Sequence, residues 1–428
     1  MSASREHAEA SRSALARAIE AWSALLGDGD VITDTRTYNV DTSSFRVPIP
    51  AALRPRCVKE VQEIVRIAQR YGVPLSPVST GRNWGYGSSL PARGESVIVD
   101  LSSLGKIRAF DQELGVVTLE PGVTQGALAE YLRREGLPYL VPTTGAGPSC
   151  SVLANALERG FGITPITDHF AAVLSLKVVL PDGSLYESFG HAHPQAGLAQ
   201  AYKWGAGPYL DGLFAQSNLG LVVEANIALR PRPDCCGVLM FVVDDAREAD
   251  ALVPSVRHIL SEAGGQQVGA INLMNRTRVE SLLHGRQRVA RQRGEVVPSA
   301  EAPDGAWFGL ASLYGTRDYF RATSRLVRRA LRGRAQQVRV FTSAQVRALH
   351  WIGAGARRLG VPRLDDLVQQ LNGALAIVEG RPVDFALPLA YANSGHVIDA
   401  RDIHPARDGC GLFWYAPIVP LRKGNVAK

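Results

Sequence analysis

Apolar residues in "VKEVQEIVRIAQRYG" fall three and four positions apart and stop at Gly72, so this stretch predicts a helix. The same period marks "MSASREHAEASRSALARAIEAWSALLG" as an amphipathic first helix. It also marks "TQGALAEYLRREG", ending on Gly136, and "SVLANALERG" as two further helices. "SVIVDLSSL" and "GVVTLEPG" carry the shorter β-branched runs of strands. "AAVLSLKVVLPDGSLYES" predicts a hairpin turning at Pro181-Asp182-Gly183. "YLDGLFAQSNLG" predicts a helix, and "LVVEANIALRP" a buried strand that closes the block.

Pro231 and Pro233 in "LRPRPDCC" punctuate the chain, and the pattern changes after them. Strand, helix, strand is the order of "GVLMFVVDD", "AREADALVPSVRHILSEAG" and "AINLMN". It recurs in "WFGLASLYG", "TRDYFRATSRLVRRALRG" and "QQVRVFT". "CGLFWYAPIVPL" opens a third such unit whose covering helix does not follow before Lys428. An uncovered sheet face exposes apolar surface, so the chain reads as unfinished. Two regions are expected, residues 1–233 and residues 234–428.

A chain of 428 residues with 46% hydrophobic content buries a full core and needs no special staple. The net charge of +7 is concentrated in "RQRVARQRG" and "SRLVRRALRGRAQQVRV". Both read as solvated helix faces; nucleic-acid contact is the alternative, but no aromatic-basic interleaving accompanies it. Cys57, Cys150, Cys235, Cys236 and Cys410 form no C-x-x-C pair, and their odd number suits reduced thiols in the cytoplasm. No apolar run reaches the length of a membrane span, and the charged N-terminus is no signal peptide. His191 and His193 in "GHAHPQ" lack further ligands at metal-binding spacing.

The candidate chemistry lies in "PVSTGRNWGYGSSLP", which fits neither of the common phosphate-loop patterns. A strand ending in Ser-Thr-Gly-Arg-Asn delivers consecutive N–H groups and two hydroxyls into a tight turn, a nest for anionic oxygens. Arg82 adds charge, and no Lys is present to act as the phosphate clamp of an NTPase. A diphosphate held rather than hydrolysed is one reading; a plain surface turn with a packed Tyr86 is the other.

With "VTLEPGVTQGALAEYL", "SVLANALERGFGITPITDHF" and "YKWGAGPYLDGLFAQSNLGLVVEANIALRPRP" following in order, and "DGCGLFWYAP" near the end, the chain resembles the vanillyl-alcohol oxidase and 4-cresol dehydrogenase family of flavoenzymes. The resemblance implies an α+β fold. A two-subdomain FAD-binding domain of the vanillyl-alcohol oxidase/PCMH type would precede a ferredoxin-like α+β cap that is incomplete at its C-terminus. It implies that Ser79, Thr80, Gly81, Arg82, Asn83 and Gly85 cradle the FAD diphosphate, and that Pro121 and Gly122 line the same cleft. Thr143, Thr144, Asn155, Glu158, Arg159 and Gly160 would run alongside the flavin. Gly220 and Val222 would meet the adenine end through their backbone, and close helix–strand packing is the other reading of such glycines. Tyr86 takes the place of the tyrosine that hydrogen-bonds the substrate's phenolic oxygen. That contact favours phenolate and eases removal of a benzylic hydride to flavin N5, leaving a quinone methide.

Three departures from the family pattern shape the expectations. Ile163 and Ile166 stand where relatives carry tyrosines, so the substrate pocket is expected to differ. Asp168 and His169 remain, as an acid/base pair or as a structural hydrogen bond between the two. "VPTTGAGPSCS" offers Thr143, Thr144 or Ser149 where the oxidase branch places an acid. The His or Tyr that anchors flavin covalently, and the Tyr–Arg pair that completes phenolate binding, cannot be mapped, so FAD is expected to be noncovalent. The implied activity is benzylic hydride removal from a para-substituted phenol, such as a 4-alkylphenol, a 4-allylphenol or a vanillyl-type alcohol. Alternatives are a catalytically impaired flavin-binding relative and an enzyme for non-phenolic alcohols. The resemblance admits oxygen, a cytochrome c or another carrier as electron acceptor, and a homodimer as the assembly.

Overall fold

The computed structural model describes residues 2–43, 45–82, 89–192, 197–281, 287, 307–348, 371–392, 394, 402–412 and 420–425. The first helix, Ser2–Leu26 (α1), lays Ala18 and Trp22 on Val58–Tyr71 (α2). Trp22 is wholly buried, and its indole N–H donates to the Ile64 carbonyl at 3.2 Å. The period in the second helix is used as expected: Val61, Ile64, Val65, Ile67 and Ala68 face inward. Gly72 ends it in the left-handed region, at φ 66°, where a Cβ would be strained.

That inward face packs on a four-stranded sheet of Val31–Ile32 (β1), Ala52–Leu53 (β2), Leu75–Val78 (β3) and Val97–Asp100 (β4). The order is β1-β2-β4-β3, with β4 parallel to both neighbours and buried along its whole length. A second sheet contains Ile107–Asp111 (β5) and Val116–Leu119 (β6). Tyr139–Leu140 (β7) lies apart from it; Val173–Val179 (β8), Leu185–Glu187 (β9) and Leu221–Ala228 (β10) complete it. Its order is β5-β6-β10-β8-β9, antiparallel throughout. Gln125–Arg134 (α3) and Val152–Leu157 (α4), capped by the Thr124 and Ser151 hydroxyls, bury Leu128, Leu132 and Leu153 in its core. Val179 and Val223 belong to the first sheet's core, so the two sheets share packing.

The helix expected over "YLDGLFAQSNLG" is instead one 3-10 turn, Asp211–Phe214. Leu213 and Leu219 are exposed, so the apolar residues form no single buried face. Asp211 is pulled toward β9 by the hydroxyls of Tyr186 and Ser188, each at 2.7 Å, and Gln216 adopts φ 49°. Side-chain anchoring overrides the helical period here.

Arg230–Pro231 (β11) pairs with β7 and leads into Cys235–Val243 (β12). Ala246–Ala251 (α5), Val253–Ala263 (α6), Val268–Asn275 (β13), Trp307–Gly315 (β14), Arg317–Leu331 (α7) and Gln336–Thr342 (β15) follow. The sheet order β13-β14-β12-β15, with all neighbours antiparallel, is the split βαβ arrangement of a ferredoxin-like unit. The single helix expected over "AREADALVPSVRHILSEAG" is broken at Leu252, because Pro254 has no N–H to continue the ladder. Alternation along the strands sorts the core. Leu239, Phe241, Val243, Ala311 and Leu313 face the helices, while Val238, Met240, Leu310 and Tyr314 face the other way. On that second face they meet Leu140, Ile163 and a helical segment, residues 371–378, through Leu371, Leu375 and Val378.

Of the strand expected over "CGLFWYAPIVPL", residues 410–412 have no regular structure and 413–419 lie outside the described residues. Among the described residues no helix is long and apolar enough to cross a membrane.

Candidate functional site

β3 ends at Val78, and the chain turns through Ser79, Thr80, Gly81 and Arg82, all half-buried. Gly81 sits at φ 61°, a conformation that L side chains rarely adopt. Asn83, Gly85 and Tyr86 lie outside the described residues.

A second wall comes from the segment between β7 and α4. Thr143 is wholly buried and donates its hydroxyl proton to the Ile377 carbonyl at 2.8 Å. Thr144 is held by the buried amide of Gln125, whose Nε2 donates to the Thr144 hydroxyl at 2.9 Å. Ser151 donates to the Pro121 carbonyl at 2.6 Å while capping α4, which fixes the neighbouring "EPGVT" turn. Buried Glu120 in that turn is neutralised by the Arg108 guanidinium and also takes the Lys106 N–H at 2.8 Å.

The third wall comes from more than 230 residues further along the chain. Asp384, Leu387 and residues 402–406 close over Gly81, Arg82, Ala146 and Ser149 to enclose a cavity of about 140 Å³. Arg82 Nη1 lies 3.7 Å from Asp402 Oδ1, an ion pair too long to be a hydrogen bond. Asp402 is engaged more closely by Arg407, at 2.5 Å to its side chain and 2.8 Å to its carbonyl. Arg407 also reaches Asp408 at 2.8 Å, and Tyr391 donates to Asp408 at 2.6 Å.

His404 completes the wall. Its Nδ1 accepts the Arg407 backbone N–H at 3.2 Å, which places the imidazole proton on Nε2. Burial, with Arg82 and Arg407 nearby, pushes its pKa down to about 4 against the opposing pull of Asp402 and Asp408. The ring is therefore neutral at physiological pH. Arg82, Ser149 and His404 Nε2 all border the cavity, and none is hydrogen-bonded to a described residue. An oxygen-rich anion such as the diphosphate of FAD fits this set of donors and the side-chain-free backbone of Gly81.

Other expected site residues fall elsewhere. An added Cβ at Gly122 would collide with the Ser102 and Leu104 carbonyls, at Gly160 with the Asn155 amide, and at Gly220 with Val178. The protein's own atoms therefore account for the missing side chain at all three. Glu158 and Arg159 are exposed at the end of α4, Arg159 with φ 53°, and Val222 is buried where β10 pairs with β8. Ile163 packs on the apolar junction with the β13-β14-β12-β15 sheet, and Ile166 on the core of the β5-β6-β10-β8-β9 sheet. The backbone carbonyl of Ile163 takes hydroxyl protons from Ser312 at 2.5 Å and Tyr314 at 3.1 Å. In "YKWGAGPYLDGLF", Lys203 sits over the rings of Phe170, Trp204 and Tyr209 and donates to two backbone carbonyls.

The expected Asp168–His169 hydrogen bond is not formed. His169 Nδ1 lies 2.5 Å from Asn155 Oδ1, and exposed Asp168 instead accepts the Ala171 N–H at 3.1 Å. The β-bridge between Phe161 and Asp168 turns the carboxylate outward and the ring inward. Burial holds the His169 pKa down to about 4, only partly opposed by Asp168; in an unfolded chain it is about 6.5. As pH falls below about 6.5 the unfolded chain takes up a proton that the folded one refuses. The stability supplied by the neutral ring is full above that pH and lost by about pH 4, a total of roughly 3 kcal/mol. Urea midpoints measured from about pH 4 to 7 should show this slope in the native protein and lose much of it in His169→Gln.

Sequence patterns did not single out Asp384, Asp402 or His404. The signal for Asp402 and His404 is the charged, proline-broken run "RDIHPARD" that leads into "DGCGLFWYAP". Among the described residues no group of three or more His, Cys, Asp or Glu could hold a metal.

Comparison with known proteins places the fold in a family. Residues 49–188 match a family model described as an FAD binding domain. Over 420 residues the chain is 33% identical to 1'-carboxy-chondrochloren decarboxylase of Chondromyces crocatus, which covers 95% of this chain and 76% of that protein. It is 28% identical over 319 residues to the 4-cresol dehydrogenase [hydroxylating] flavoprotein subunit of Pseudomonas putida, or 71% of this chain and 60% of that one. The crystal structure of p-cresol methylhydroxylase with substrate bound is similar with a TM-score of 0.74 at 25% identity, covering 90% of this chain and 73% of the other.

Proposed function

Because the chain belongs to the vanillyl-alcohol oxidase and 4-cresol dehydrogenase family of FAD-binding enzymes, we propose that it oxidises the benzylic carbon of a para-substituted phenol. The observation that carries this reading is the convergence of Gly81, Arg82, Ser149 and His404 on one cavity between the first block and the cap. Bound FAD supplies a two-electron hydride acceptor. The protein's part is to hold the cofactor, exclude water and orient the phenol. The Ser79–Arg82 turn, with Asn83 and Gly85 beyond it, holds the diphosphate, and the segment from Thr143 to Gly160 runs beside the ring system. Tyr86 donates to the phenolic oxygen, favouring phenolate and with it departure of the benzylic hydride. The cofactor is held without a covalent bond. Oxygen or a cytochrome c accepts the electrons, a homodimer is the assembly, and the cytoplasm is the compartment, which suits five cysteines outside any disulfide.

Anaerobic mixing of the yellow protein with a series of 4-alkylphenols is expected to bleach the flavin. Tyr86→Phe is expected to slow that bleaching about tenfold or more, the equivalent of 1.4 kcal/mol. Acid should release the FAD into solution. If no phenol bleaches the flavin, the phenol reading fails, and a non-phenolic alcohol or a catalytically impaired relative takes its place.

The similarity to a decarboxylase over 95% of the chain favours a second reading, in which the substrate carries a carboxylate on the carbon next to the benzylic one. Hydride loss gives the same quinone methide. The bond to the carboxylate then breaks, its electron pair forms the new carbon–carbon double bond, and carbon dioxide leaves in place of a second proton. With 3-(4-hydroxyphenyl)propanoate this route releases one carbon dioxide per flavin reduced; the first reading releases none.

A further inference from the structure

We infer that the cap takes part in holding the cofactor: His404 Nε2–H donates to the same diphosphate that the Arg82 turn grips. The inference rests on the reading above, in which that turn holds FAD. Three features support it. His404 lines the same cavity as Gly81 and Arg82. Its Nδ1 is occupied by the Arg407 N–H at 3.2 Å, so the ring has one tautomer and one free donor. No described residue accepts from that donor.

The surrounding charges suit the same role. Arg82 approaches from the first block, Asp384 lines the cavity from the cap, and Asp402, Arg407 and Asp408 belong to the histidine's own loop. Asp402 would repel a diphosphate if it stood alone. Arg407, at 2.5 Å, answers its charge while also reaching Asp408, and Arg82 is the guanidinium that lines the cavity. Burial and the two guanidiniums disfavour the charged form of His404, so without ligand it presents an N–H donor and not a cation. A fixed tautomer and a position on the cap make it a cofactor-binding residue more than 300 residues from the turn it assists.

The test titrates full-length apoprotein with FAD and, separately, with riboflavin, which keeps the ring system and lacks the diphosphate; flavin fluorescence reads both. His404→Phe is expected to weaken FAD about tenfold and leave riboflavin within about twofold. His404→Gln keeps an N–H and is expected to stay within about threefold of the native protein for FAD. His404→Ala gives the same comparison without the bulk of a ring, should the phenylalanine fail to fold. Native FAD affinity in both His404→Phe and His404→Ala overturns the inference. So does an equal loss of riboflavin and FAD, or a His404→Gln protein as weak as His404→Phe. Arg82→Gln separates the two levels. If it leaves FAD affinity unchanged, the turn does not hold the diphosphate and the underlying reading fails; if it weakens FAD while His404→Phe does not, only the inference fails.

Discussion

Trp22→Ala is expected to remove about 3–5 kcal/mol from the stability of the first block, the usual cost of deleting a large buried aromatic. The indole has no exposed surface, it joins Val61, Ile64 and Val65 in one core, and its N–H is spent on the Ile64 carbonyl. Truncation leaves a hole that two helices and a sheet cannot close without moving against each other. The measurement is the urea midpoint of the first unfolding transition, because a chain with several cores need not unfold in one step. Trp22→Phe should recover part of the loss, since it restores the ring's bulk without the hydrogen bond. A midpoint unchanged by Trp22→Ala would mean that α1 is not anchored as described. The effect matters for the site because the same core supports the sheet from which β3 delivers the Arg82 turn.

Arg82→Gln is expected to weaken FAD about 10- to 150-fold, corresponding to the 1.5–3 kcal/mol of a hydrogen bond to a charged group. Arg82 is 30% exposed, and Asp402, its nearest described anion, is at 3.7 Å and bound more tightly by Arg407. Little native interaction is lost with the guanidinium, so the change should appear in cofactor binding rather than in stability. Raising the salt concentration should weaken FAD more in the native protein than in Arg82→Gln, because screening acts on the charge that the variant lacks. A loss smaller than twofold, with the salt dependence unchanged, would exclude Arg82 as a diphosphate ligand.

Much of the fold was legible because its signals are local. α2 carries its own period and its own stop at Gly72, and α3 its Thr124 cap. The order of strands and helices after Pro233 was legible, whereas the ferredoxin-like pairing of the four strands was expected from the family resemblance. Local signals misled where one side chain was held from a distance. Asp211 answers hydroxyls near β9, and the "YLDGLF" stretch becomes a turn. His169 meets Asn155, 14 residues earlier, and not its neighbour Asp168. The Arg82 turn was recognisable from its composition, whereas His404 was not. It meets Arg82 across more than 300 residues, and no periodicity encodes that meeting.

The Ile163 carbonyl receives two hydroxyl protons from one strand of the cap, and Thr143 gives its own proton to the segment carrying Ile377. Tyr314 stands between them and also reaches the Val378 carbonyl at 3.0 Å. The Thr143 and Tyr314–Val378 bonds are buried, and breaking either one strands a polar group at a cost of about 1–3 kcal/mol. The joint is a weld, not a hinge. A swing of one half against the other would have to break these bonds together.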